Sequence, residues 1–339
     1  MTAMVLNSTS AGLYCPAGDF YIDPWRPVPR AVITHGHADH ARAGHGAYLT
    51  SPAGRGILQV RLGDSAPIQA LPFLQPLKIG AATVSLHPAG HVLGSAQVRV
   101  EVGGEVWVVS GDYKLSPDGI SEAWEPVPCH TFVTESTFGL PVYRWPPQSE
   151  VFAEMARWWE NNQEAGQTSV VYAYSLGKAQ RLLAGLEPDQ GPIAVHPAVA
   201  SFLPAYRAAG VSFPEAWEWG PETAARVRGR GLVIAPPAVA DSAWERALGS
   251  TAKAFASGWM RVRGIRRRRN LQAGFALSDH ADWPGLLRAI ELTGARRVGV
   301  THGYVEVLTR YLTERGYDAF PVATQFRGDD APDVAEASS

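Results

Sequence analysis

Thr34-His35-Gly36-His37-Ala38-Asp39-His40 is the stretch that decides the reading of this chain. It follows Ala31-Val32-Ile33, a β-branched apolar run, so the polar residues sit on the loop leaving a strand. Three histidines and an aspartate within six residues supply two pairs of metal ligands. Neutral imidazole suits zinc, and a carboxylate supports a second cation. A two-metal site needs further ligands, and three polar residues beside glycines stand after other apolar runs. His91 follows Pro88-Ala89-Gly90, Asp112 ends Ser110-Gly111-Asp112, and His302 lies in Thr301-His302-Gly303. Each alone reads as a cap or a surface residue; beside the cluster at His35 they read as ligands. His45, His87, His130 and His196 lack that context and read as structural.

The composition agrees with histidine and aspartate chemistry. Of 339 residues, 46% are apolar and 18% charged, which is globular and too long for one ordinary core. Two cysteines, Cys15 and Cys129, exclude a disulfide framework and a thiolate zinc site, and suit a reducing cytoplasm. No apolar run approaches the ~20 residues that span a bilayer, and no secretory signal is expected at the N-terminus. The net charge of −2 argues against a nucleic-acid binder only as an average. Residues 241–270 carry eight basic residues against Asp241 and Glu245, while the tail from Arg327 is acidic.

Along the chain the first 140 residues read as short strands and turns. Gly103-Gly104 marks a hairpin between 97–102 and 105–110, and Ser51 caps a helix over 52–62. From about residue 145 the pattern alternates strand and helix, which predicts a parallel sheet. Helices are expected over 151–160, from Ser175 as N-cap to Leu183, and over 197–209. Strand, loop and helix return from Ala273.

The ordered set of motifs resembles a known family. The run from His35 to His40, His91 in Ala-Gly-His-Val-Leu-Gly-Ser-Ala, and Ser-Gly-Asp at Asp112 are similar to the metallo-β-lactamase fold hydrolases. Thr134-Glu135-Ser136-Thr137-Phe138-Gly139, Ser175-Leu176-Gly177-Lys178-Ala179-Gln180, Ser278-Asp279-His280-Ala281-Asp282-Trp283 and Thr301-His302-Gly303 narrow the resemblance to the β-CASP nucleases. Within these it looks most like the bacterial ligase-associated DNA exonuclease branch, over about residues 15–325. The resemblance implies an α/β fold, a metallo-β-lactamase αββα sandwich with an inserted, shortened β-CASP cap. It places the sandwich in 1–145 and 269–326 and the cap in 146–268; the tail, 327–339, is expected from its own sequence to be disordered.

It also implies roles. His35, His37 and His91 would hold one divalent ion, and Asp39, His40 and His302 the other. Asp112 would bridge them, with zinc the first choice of metal and manganese the second. Asp23 would orient the site, Glu135 would be acidic partner to His280, and His280 would donate a proton. The implied activity is a metal-dependent DNA exonuclease, cytoplasmic, linked to repair and to a DNA ligase, with no membrane partner. Histidine at 302 is shared with RNA-processing members, so an RNA-cleaving relative is the alternative. A small-molecule metallohydrolase explains the first motif but not Ser278–Trp283.

The chemistry supports these roles independently. Two cations acidify a shared water and neutralise a phosphodiester's transition state, and a histidine titrating near neutrality protonates the departing oxygen. Lys178 and Ser175, at a helix start, are candidate phosphate contacts, as are Arg266, Arg267, Arg268 and Arg269 for the nucleic-acid backbone.

Overall fold

The computed structural model describes residues 4–240, 242–262 and 271–325. It divides into two compact units: the described residues of Met1–Tyr143 with His280–Ala331, and those of Arg144–Asp279.

The first unit is built on two sheets. In one, six short strands lie in chain order, from Asn7–Ser8 through Leu13–Cys15, Phe20–Ile22, Ala31–Val32 and Tyr48–Thr50 to Ile68–Ala70. In the other, seven strands run Asp318–Pro321, Arg297–Thr301, Thr131–Glu135, Glu105–Val109, Ala96–Val102, Ala82–Pro88 and Leu77–Ile79. Alternate residues of a strand point to opposite faces, and here the two faces are separate cores. Val84, Leu86, Val98, Val100, Trp107, Val109 and Val133 pack with Leu13, Phe20, Ile22, Val32 and Leu49 of the first sheet. Their neighbours Val106, Val108, Phe132, Val298 and Val300 pack with Leu286, Ala289 and Ile290 of helix Trp283–Thr293 and Leu308 and Leu312 of helix Val305–Glu314. Helix Pro52–Leu62 places Leu58 on the far face of the first sheet, against Ile33, Tyr48 and Ile68. The layers are therefore helix, sheet, sheet, helices, a mixed α/β architecture as expected.

The second unit holds six strands in the order Trp217–Glu218, Ile193–Val195, Leu232–Ala235, Thr168–Tyr172, Thr251–Ala256 and Ala273–Phe275, all parallel. Helix Gln148–Glu164 buries Val151, Met155 and Trp159 in its core. No helix among the described residues is long and apolar enough to cross a membrane.

Local chemistry explains where elements start and stop. Ser51 accepts from Gly54 N at 3.0 Å and caps its helix. Gly103 and Gly104 both take positive φ, as the tight hairpin between Ala96–Val102 and Glu105–Val109 requires. Two helix expectations change. The run over 197–209 is two helices, Pro197–Ala200 and Leu203–Ala208, because Pro204 has no N–H to continue the ladder from Ala200. Ser175 does not cap the next helix. Lys178–Ala184 starts after Gly177 at φ +83, whose N–H is taken by Gln180 Oε1 at 2.8 Å.

Gly94 ties this scaffold to the metal motif. Its carbonyl accepts from Ser51 Oγ at 2.6 Å, and a Cβ at its φ of +73 would lie 2.1 Å from Gly54 N. Gly294, at φ +66, has nothing within 4 Å of a built Cβ. Gly294→Ala is expected to cost about 1–2 kcal/mol of backbone strain. Gly94→Ala should cost clearly more, because backbone must also move. Equal losses in urea unfolding would contradict the close packing at Gly94.

Candidate metal centre

The candidate ligands converge because their strands run the same way. Glu105–Val109, Thr131–Glu135 and Arg297–Thr301 are mutually parallel. Ala82–Pro88 and Glu105–Val109 are each antiparallel to Ala96–Val102, so they share a direction too. His91, Asp112, Glu135 and His302 thus leave one sheet at the same edge. His35, His37, Asp39 and His40 arrive from the facing sheet, after Ala31–Val32. Their loop is a tight turn, with His40 N and Ala41 N both donating to His37 O.

Two sets of ligand atoms lie within 4.8 Å of one another: His35, His37, His91 and Asp112 in one, and Asp39, His40 and His302 in the other. Asp112 joins them. Its Oδ2 is 3.5 Å from His35 Nε2, 3.6 Å from His40 Nε2 and 3.9 Å from His91 Nε2. Ligands about 2.1 Å from a tetrahedral ion stand roughly 3.4 Å apart, so this spacing fits shared cations better than direct hydrogen bonds. His91 Nε2 and His37 Nδ1 face each other at 3.0 Å, again two ring nitrogens aimed at one place. His35 Nε2 and Asp112 Oδ1 are buried and make no hydrogen bond. A buried, unsatisfied acceptor is costly unless a cation meets it. The residues therefore fit divalent metal.

The surroundings fix which imidazole nitrogen faces inward. Asp23, at φ +43 and buried, accepts Thr34 N at 2.8 Å and the Thr34 hydroxyl at 2.5 Å. Its Oδ2 lies 2.7 Å from His40 Nδ1. The Nδ1–H of His40 thus points at Asp23, which leaves Nε2 as the lone-pair donor. Thr34 Oγ1, 3.0 Å from His35 Nδ1, does the same for His35. Across the site, Glu135 is fully buried and both its oxygens approach His280 Nδ1, at 2.8 and 3.0 Å. Oε1 also accepts Tyr113 N at 2.8 Å. The His280 ring lies 4.6 Å from that of His91 and 5.8 Å from that of Phe138. Asp112, Glu135 and His280 form a third close set. The more open side is marked by Asp39, with a third of its side chain exposed.

Thr34, Tyr113 and Ser136 were not among the candidates drawn from sequence. Ser136 Oγ donates to the carbonyls of Thr301 and His302, holding His302 at φ +54. Arg61, on helix Pro52–Leu62, donates to Gly36 O inside the metal motif at 2.5 Å. Thr34 abuts the motif and carried some signal; Arg61, 25 residues on, carried none. Two further candidates lie in the second unit. Ser175 is buried, and Lys178 is buried with its ammonium 3.5 Å from Asp279 Oδ2. Asp279 is buried between Lys178 and Arg181. Arg266, Arg267, Arg268 and Arg269 lie outside the described residues.

Burial and charge set the protonation of the cluster in the absence of cations. Burial, then Glu135, push the Asp112 carboxyl up to about 8, although His40 and His280 oppose them. Burial works against a charge on His40, but Asp39, Asp112 and Asp23 outweigh it and raise that ring to about 10. Burial, then His40 and His91, hold His35 well below the usual histidine range. The metal-free site therefore retains, within the Asp112–His40 pair, a proton that a cation must displace. Zinc titration by calorimetry should release protons at pH 7, with heats that vary with buffer ionisation enthalpy. Affinity should rise with pH. Heats independent of buffer would contradict this protonation pattern.

Comparison with known proteins gives relatives rather than an identity. No family model matches the chain. It is 34% identical, over 92% of its length, to 30% of a protein of Opitutus terrae named "Probable DNA ligase". It is 31% identical, over 35% of its length, to 14% of "Endoribonuclease ysh1" of Emericella nidulans. It is 26% identical, over 46% of its length, to 30% of "Transcription termination factor FttA" of Methanocaldococcus jannaschii. The chain spans less than a third of the length of these curated relatives. A solved structure of a protein of unknown function from Enterococcus faecalis V583 shares the fold, with a TM-score of 0.58 at 12% identity, over 87% of this chain and 79% of that one. These similarities support the β-CASP resemblance that the ordered motifs carry.

Proposed function

We infer that this chain is a metal-dependent nuclease of the β-CASP type, holding two divalent ions and acting on DNA. The observation that carries the reading is Asp112 Oδ2, within 4 Å of three imidazoles and buried beside the Glu135–His280 pair. His35, His37 and His91 would hold one ion and Asp39, His40 and His302 the other, with Asp112 common to both. When bound, the ions supply an acidified water and neutralise charge on the phosphodiester. The chain supplies the rest. Asp23 and Thr34 hold His40 and His35 in the ligating tautomer. Glu135 accepts Nδ1–H of His280 and favours the protonated ring, so that Nε2, on the opposite side of the ring, can give its proton to the departing oxygen. Zinc is the first choice for the nitrogen-rich set and manganese the second. The second unit is read as a shortened β-CASP cap. On sequence alone, Ser175, Lys178 and Arg266–Arg269 are read as substrate contacts, although the buried Asp279 pair weakens that reading for Lys178.

The likeness to a protein named as a DNA ligase, over most of this chain, favours DNA and a role alongside ligation. A second reading, cleavage of RNA, is favoured by shorter likenesses to a protein named as an endoribonuclease. End-labelled single- and double-stranded DNA and matched RNA, incubated with Mn²⁺ or Zn²⁺, separate the two. Faster loss of DNA is expected, with products that show polarity; a preference for RNA would transfer the function to the second reading. His37→Ala and Asp112→Ala should lose bound metal and all cleavage. Cleavage by either variant at the native rate would refute a metal-dependent nuclease.

His280→Ala should behave differently. It is expected to keep its metal and lose about 10²–10⁴-fold in turnover. If metal analysis finds it as depleted as His37→Ala, the acid role is wrong.

A further inference from the structure

His280 stands on a stretch that belongs to neither a helix nor a strand. Leu277 to Asp282 lie between strand Ala273–Phe275 and helix Trp283–Thr293. A proton donor on such a loop needs its backbone held by other means, since displacement by about 1 Å can cost a hundredfold in rate. On the C-terminal side the hold is visible: Ala281 N donates to Tyr113 O at 2.6 Å, and Asp282 caps the helix through Gly285 N at 2.9 Å.

On the N-terminal side the hold is ionic. Arg181 NH1 donates to Ser278 O at 2.6 Å and to Asp279 Oδ1 at 3.2 Å. Its Nε donates to Gln148 Oε1 at 2.8 Å, which fixes the plane of the guanidinium. Lys178 Nζ approaches the other Asp279 oxygen at 3.5 Å and lies 4.9 Å from the centre of the Tyr174 ring. All three charged side chains are at most 5% exposed. Two cations are thus buried on one carboxylate. As a stabilising device this is poor, because desolvating three charges is costly and apolar packing would serve as well or better. The arrangement makes sense as a device of position: a planar guanidinium held at Nε by Gln148 aims NH1 at Ser278 O and Asp279 Oδ1, and so fixes direction as well as distance. It grips the carbonyl of Ser278 and the side chain of Asp279, the two residues that lead into His280.

We propose that Arg181 and Lys178, acting through Asp279, are positioning residues for the proton donor His280. This rests on the acid role given to His280 above. Lys178 then serves the chain itself rather than a substrate phosphate.

The test compares two leaving groups. A DNA phosphodiester expels an alkoxide that needs a proton, whereas a p-nitrophenyl ester of thymidine 5′-monophosphate expels a phenolate that does not. Arg181→Met, which keeps the stem and removes the fork, should keep its metal and a native unfolding profile. It should lose about 10²-fold on DNA and less than about 3-fold on the nitrophenyl ester. Arg181→Lys should recover only part of the loss, because an ammonium has no second nitrogen for Gln148 to hold and so no fixed plane. If Arg181→Met does not fold, Asp279→Asn and Lys178→Met carry the same comparison. His280→Ala is run beside them. Selective loss on DNA in His280→Ala, with parallel or no loss in the clamp variants, overturns the positioning role and leaves the acid. Parallel loss in His280→Ala itself overturns the acid reading, and the clamp's purpose with it.

Discussion

A buried carboxylate among imidazoles sets the terms for the first unit. Asp112 is 6% exposed, and its oxygens look toward His35, His40 and His91 rather than toward water. Without cations such a carboxylate keeps its proton, as its raised pKa of about 8 expresses. With cations the same burial becomes useful, because charge acts more strongly where water is excluded. Much of the local architecture serves this point. Parallel strands bring Asp112, Glu135 and His302 to one edge. Gly111 at φ +57 brings the chain against Thr34, and Asp23 with Thr34 turns two imidazoles inward.

The site also divides its labour by burial. His35, His40, His91 and Glu135 are sealed, whereas Asp39 and His37 are partly open. The sealed residues can hold geometry, and the open ones mark the side of the site that water reaches. The Nδ1 of His280 is committed to a fully buried glutamate, and the proposed acid role falls to its other nitrogen. Its backbone is restrained from both sides in sequence, by polar contacts of differing kind.

How much of this was legible depends on whether the signal was local. The metal motif, His91, Asp112 and His302 announced themselves because each polar residue follows an apolar run and adjoins a glycine or another ligand. The hairpin at Gly103-Gly104 and the Ser51 cap rest on neighbouring residues and could be read directly. The strands Asn7–Ser8, Leu13–Cys15, Tyr48–Thr50 and Ile68–Ala70 could not. They have only two or three residues each, and pairing with distant partners makes them strands. The helix expected over 197–209 was missed for a visible reason, Pro204, whose effect on the ladder was underweighted. Lys178 reads from sequence as a phosphate contact, and its buried partner Asp279, about a hundred residues away, is invisible there. Ser136 and Arg61 act through backbone carbonyls, which leave no pattern in a single sequence.

Anomalous X-ray scattering from crystals grown with Zn²⁺ or Mn²⁺ tests the central claim most directly, since it locates ions without assuming any activity. The account predicts two peaks a few ångströms apart, one among His35, His37 and His91, the other among Asp39, His40 and His302, with Asp112 touching both. A single ion, or ions bound away from Asp112, would contradict it.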